Sequence, residues 1–123
     1  MSACLHQPYA AVTAYVTRDG SEIRELMHPA VQGNRAQSLA EAIVQPGART
    51  LRHRHHCSEE IYHVTAGRGR MQLGEAWLAL APGDTVCIPP GTPHWVVAAD
   101  EAPLHLLCCC APAYAHEDTE LLE

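Results

Sequence analysis

Turn-forming residues cut this chain into pieces too short for anything but β-structure. Gly and Pro signals fall at Asp19-Gly20, Gly33-Asn34, Pro46-Gly47, Pro82-Gly83 and across Pro89-Pro90-Gly91-Thr92-Pro93. Between them lie Ser21–Met27, Ser38–Val44, Glu60–Ala66, Arg70–Leu73, Ala76–Leu80, Thr85–Ile88, His94–Ala99 and Leu104–Cys110. Several of these carry Val, Ile, Thr, Tyr or Trp, and short segments so spaced predict an all-β sandwich or barrel. Only Ser21–His28 and the tail Ala115–Glu123 tolerate a helical reading, with one terminal turn expected at Glu117–Glu120. Leu104–Cys110 is too uniformly apolar for an alternating pattern and is expected as a strand buried on both faces.

The 123 residues are read as one domain, 1–123, with an N-terminal arm to about residue 20 and a C-terminal tail from about residue 111. All eight basic residues are Arg. Without Lys there is no Schiff-base chemistry, no pyridoxal phosphate anchor and no phosphate-cradling loop lysine. A net charge of −6 with scattered Arg argues against nucleic acid or anionic lipid as partner. No apolar run approaches the roughly 18–20 residues that span a bilayer. The opening MSACLHQPYAAV lacks a cationic leader segment, so a cytoplasmic protein is expected.

Six Cys do not make a disulfide framework. Cys108, Cys109 and Cys110 are consecutive, so on a strand they alternate between faces, while Cys4, Cys57 and Cys87 stand alone. They read as reduced, small apolar residues, with redox sensing through Cys57 or the triple Cys as the other reading.

Four of the nine His fall in LRHRHHCSEEIYH, residues 51–63. On a helix His53, His56 and Glu60 would share a face; on a strand His53 and His55 would. Pro46-Gly47 upstream and the β-prone Ile61–Thr65 downstream favour strand–turn–strand. Glu60, Tyr62 and Val64 then line one face of the second strand, and two imidazoles and a carboxylate can converge on one divalent ion. His94 is a further donor, delivered by the rigid Pro-Pro-Gly-Thr-Pro turn.

The spacing resembles the cupin superfamily. Gly47, His53, His55, Glu60 and Gly67 are separated by five, one, four and six residues, as in its first motif (residues 47–67). Gly83, Pro89, Gly91 and His94 are separated by five, one and two, as in its second (residues 83–98). The short stretch Arg68–Pro82 between them is similar to that of small single-domain bacterial cupins. One departure is Ala98, where many members carry Asn.

The resemblance implies a double-stranded β-helix, or jelly-roll barrel, of two antiparallel sheets. It implies a transition metal held by His53, His55, Glu60 and His94, and a homodimer built by adding a strand, for which Ser21–Met27 is the candidate. The N and O donor set suits Fe, Mn, Ni, Co or Zn, with coordination positions left open for chemistry. Tyr62 is either a general acid/base, as in cupin lyases, or an aromatic core residue with its hydroxyl bonded to a neighbour. His63 should face away, His56 and Cys57 should sit in the turn, and Arg52 and Arg54 on the surface. The tail 112–118 is expected across an end of the barrel.

The expected function is a metal-dependent enzyme of dioxygenase, isomerase, epimerase or lyase type acting on a small polar molecule such as a sugar or organic acid. The alternative is a non-catalytic small-ligand-binding or sensor cupin, although 123 residues leave no room for a helix-turn-helix domain.

Overall fold

A computed structural model describes residues 5–123. Eleven strands run β1 Tyr15–Val16, β2 Glu22–Met27, β3 Ser38–Val44, β4 His53–His55, β5 Glu59–Ala66, β6 Gly69–Leu73, β7 Ala76–Leu80, β8 Thr85–Ile88, β9 His94–Ala98, β10 Leu104–Ala111 and β11 Thr119–Leu121. They form two antiparallel sheets, ordered β1-β2-β3-β10-β5-β8 and β11-β4-β9-β6-β7. This is the jelly-roll barrel. Among the described residues no helix is long and apolar enough to cross a membrane.

The interior is graded from one end to the other, and the strand registers show how. Leu104 on β10 lies opposite Val44, and Leu106 lies opposite Ala42 and Val64. One step further Cys108 meets Ala40 and Tyr62; one more and Cys110 meets Ser38 and Glu60. Apolar side chains therefore plug one end, where Val64, Leu104 and Leu106 are fully buried. At the other end the facing positions are small or polar. Ser38, Ala40, Ala42, Cys108 and Cys110 have short side chains, and a cavity lies beside them.

Most segment boundaries agree with the sequence reading, and the exceptions have physical causes. β10 is not buried on both faces: Leu104, Leu106, Cys108 and Cys110 are buried, while His105, Leu107 and Cys109 are only half-buried. β3 and β5 cover its edges, but only one face has a sheet packed against it. The three Cys alternate as anticipated, and the five Cys among the described residues are all free; Cys4 lies outside them.

Ser21–His28 is not helical. Glu22–Met27 is a strand paired along one edge with β3, and Tyr15 and Val16 pair with its other edge at Glu22 and Ile23. The arm to residue 20 thus contributes a strand to the barrel's own sheet. In the tail, a single 3-10 turn at His116–Asp118 leads into β11, which completes a sheet by pairing with β4. The helical turn expected through Glu120 stops short because Thr119–Leu121 bonds to the edge of His53–His55 instead.

Candidate metal centre

β4 alternates as a strand should. His53 and His55 point inward, buried to 3% and 4% exposure, while Arg54 between them turns out to Glu120, with Nε and Nη2 each 2.7 Å from Oε1. β9 lies beside β4 with His53 opposite His94, which is fully buried. The three imidazoles are thereby gathered from two adjacent strands, with ring centroids 4.3–5.5 Å apart. One ring nitrogen of each lies within 4.8 Å of the others. Glu60, 5% exposed on β5 in the opposite sheet, brings Oε1 to 3.1 Å from His55 Nε2 and 3.5 Å from His94 Nε2.

The second nitrogen of each ring settles which tautomer is present. His53 Nδ1 donates to the Leu51 carbonyl at 2.8 Å, and His94 Nδ1 to the Thr92 carbonyl at 2.9 Å. A carbonyl only accepts, so both Nδ1 atoms carry hydrogen, and in the neutral rings Nε2 is the atom that keeps a lone pair for the site. His55 Nδ1 lies 2.9 Å from Thr119 Oγ1, whose own hydrogen goes to the Ala115 carbonyl at 3.0 Å. Thr119 must therefore accept, and Nε2 is the His55 nitrogen left for the site, 3.1 Å from Glu60 Oε1.

Three lone pairs and a carboxylate oxygen thus face one small volume. His94 Nε2 is buried there without a hydrogen-bond partner. Neutral imidazole nitrogens with fixed Nδ1–H groups, aimed together beside a carboxylate, are a donor set for a divalent cation. The residues fit the metal.

Electrostatics agree. Burial, reinforced by neighbouring His94, pushes the His53 pKa down, which keeps the ring neutral. Burial alone would push the Glu60 carboxyl up, but in the metal-free protein hydrogen bonds from the His55 and His94 rings, with their charge when Nε2 is protonated, outweigh it and hold its pKa at about 2, and a cation would take the place of those protons. The other carboxylate oxygen, Oε2, accepts the Cys110 thiol at 3.2 Å.

Local structure holds these groups in place. Pro89 to Thr92 form a turn closed by Thr92 N–H to the Pro89 carbonyl, and Gly91 sits in it at φ 78°, which only glycine adopts easily. Its N–H bonds to the His55 carbonyl at 2.6 Å, tying the His94 turn to β4. The tail holds the turn between β4 and β5. The Asp118 carboxylate accepts from the Cys57 and Ser58 N–H groups, and its carbonyl accepts from His56 N–H.

Of the other residues singled out, Tyr62 lies on the inner face at 6% exposure and lines the cavity. Burial raises its pKa well above the usual phenol value, so the proton stays on. Its ring stands edge-on to His94 at 5.9 Å. His63 faces away and bonds Thr85 Oγ1, and His56 is exposed beside Glu120. Cys57 is exposed in the turn.

Three contributors had no sequence signal. Thr119 orients His55 from 64 residues away. Cys110, read as a small apolar residue or a redox sensor, holds Glu60. Asp19, in the β1–β2 turn, places Oδ2 3.9 Å from His53 Nε2 while Oδ1 accepts from the Ser21 N–H and hydroxyl. All three reach the site through pairing or turns between distant segments, and no local pattern announces that.

The cavity beyond the histidines contains about 540 Å³ of atom-free space, its outer part open to solvent. Tyr114 from the tail lines it and packs edge-on against His55 at 5.7 Å.

Comparison with known proteins is consistent along the whole chain. A family model described as cupin domain matches residues 40–110. An uncharacterized protein of Methanocaldococcus jannaschii is 50% identical over 115 residues, covering 94% of this chain and 92% of that one. Among solved structures, the Streptomyces nucleoside dehydratase Pac13 superposes with a TM-score of 0.81 at 15% identity, covering 98% of this chain and 92% of that one. The polyketide cyclase RemF of Streptomyces resistomycificus superposes with a TM-score of 0.80 at 22% identity, covering 100% of this chain and 87% of that one. At these identities the structural matches speak for the barrel alone.

Proposed function

The chain belongs to the cupin domain family, and from that premise we propose that it holds one divalent transition metal through His53, His55, Glu60 and His94 and acts as a metal-dependent enzyme on a small polar molecule. The observation that carries this reading is the set of three Nε2 atoms, each ring fixed by an Nδ1–H bond to the fold, meeting beside a carboxylate inside the barrel. Bound there, the metal would act as a Lewis acid on a substrate oxygen.

The chain's own residues supply the remainder. Tyr62, still protonated and facing the cavity, offers its O–H to a substrate oxygen as a hydrogen-bond donor; its raised pKa keeps the proton on the phenol, so no phenolate base stands ready. Tyr114 and the tail cover the flank of His55 and limit water there. Barrels of this shape serve as a dehydratase and a cyclase in other proteins, so the fold accommodates chemistry of this kind.

A homodimer and cytoplasmic residence belong to the same proposal. The outer edge of β2 from Arg24 to Met27 carries no partner strand among the described residues, which suits pairing with a second copy. The five free thiols among the described residues suit a reducing compartment. Light scattering on the purified protein tests the dimer, and a monomer mass would remove it.

Elemental analysis of untagged protein purified without added metal tests the main reading. About one equivalent of a first-row transition metal is expected, lost in His55→Ala. Full loading of that variant would overturn the ligand assignment. A wild-type protein that is empty and takes up no metal would leave a non-catalytic binder.

A further inference from the structure

The wall of the cavity facing the histidines is built by the N-terminal strands and the turn between them, where Tyr15, Asp19, Ile23 and Glu25 line it. Its charged lining residues, apart from the imidazoles, are three carboxylates: Asp19, Glu25 and Glu60. No arginine lines it. Arg18 is tied to the carbonyls of His116 and Thr119, Arg24 lies beside Glu41, Arg49 pairs with Glu123 and Arg54 with Glu120. A divalent cation would offset at most two of these negative charges and leave no net positive charge among them for an anion. An organic acid entering this space would bring its charge against Asp19 and Glu25, and among the described residues no guanidinium lines the space to meet it, in surroundings that screen poorly.

The polar atoms available in the cavity are of another kind. Glu25 Oε1 is buried with no hydrogen-bond partner. Tyr62, nine-tenths buried, lines the cavity with a hydroxyl that bonds to no side chain among the described residues. Asp19 keeps Oδ2 free near His53. Buried polar atoms are normally paired, so a ligand that pairs them must donate to two carboxylates and accept from a phenol. Hydroxyl groups do both. Burial also pushes the Glu25 carboxyl up, and in neither protonation state does it balance an anion.

We propose that the cavity takes a neutral, hydroxyl-rich molecule of the sugar or polyol class, with Glu25 and Tyr62 as its specificity-determining contacts, and rejects organic acids of the same size. This rests on the reading of the barrel as a metal-bearing substrate site and narrows its substrate class.

The test is ligand-observed NMR with pentoses, hexoses and cyclic polyols, each sugar paired with its uronate or aldonate. It is run on zinc-loaded and on metal-free protein, with zinc content measured on the same samples. Neutral members should bind at least about tenfold more tightly than their paired acids, and Glu25→Leu should weaken them by about tenfold or more. Tyr62→Phe should weaken them in the same direction, and Glu25→Gln, which keeps an acceptor oxygen, should lose less than Glu25→Leu. Circular dichroism of each variant checks the fold. Preference for the acids, no binding by any neutral member, or binding indifferent to both positions would overturn the proposal. Failure to take up zinc with the sugar preference intact would sink the metal reading alone.

Discussion

Each histidine of the centre commits one nitrogen to the fold and keeps the other for the site. The residues doing the orienting are therefore as informative as the ligands. Thr119→Val leaves His55 Nδ1–H unpaired and frees the ring to turn. Zinc affinity should fall by about 10–100-fold, read by competition with a chelator, while the far-ultraviolet spectrum is unchanged. Unaltered affinity would show that Thr119 does not set the tautomer.

Acid should act at the same residues. His53 has a folded pKa below its ordinary 6.5, so as pH drops through 6.5 the unfolded chain takes the proton first and stability declines. Glu60 is depressed from 4.5 to about 2, so its contribution is complete above 4.5 and disappears as pH falls toward 2. Denaturant midpoints of the metal-free protein should decline in both windows, and Glu60→Gln should flatten the lower one.

At the scale of elements, the sheets depend on a few places where backbones nearly touch. A Cβ at Gly69 would lie 2.3 Å from the Val97 carbonyl oxygen, a backbone atom that cannot move without parting β6 from β9. Gly69→Ala should cost about 2–4 kcal/mol in urea unfolding. On the same strand Met71 is completely buried, and Met71→Ala should cost about 2–5 kcal/mol through its cavity. A loss under half a kcal/mol at either position would show a barrel more pliant than this packing implies.

Element by element, β3 and β8 could be read to the residue because turn signals bound them on both sides. β1 and β11 could not. Two- and three-residue strands carry no periodicity, and they exist only because β2 and β4 offer an open edge. β10 was misjudged on its outer face because an apolar run does not say how many sheets will cover it.

Across the whole molecule, the polar end of the barrel gathers buried His, Glu and Tyr that a metal would tie together. Zinc at a free concentration one hundred times its Kd should stabilise the fold by about 2.7 kcal/mol, seen as a rise in Tm that His94→Ala removes. An equal rise in that variant would place the stabilising ion elsewhere.

The spacing of Gly47, His53, His55, Glu60, Gly67 and of Gly83 to His94 determined by itself that this is a cupin barrel and which four side chains would be candidates for its centre. It could do so because strand alternation and turn geometry are local, and a motif of fixed spacing encodes both. Tertiary structure alone decided that Thr119 would set the His55 tautomer, that Cys110 would hold Glu60, and that Asp19 and Glu25 would face the cavity without a cation. Those contacts join segments far apart in the chain, and which side chains meet there depends on sheet order and register, which no local pattern contains.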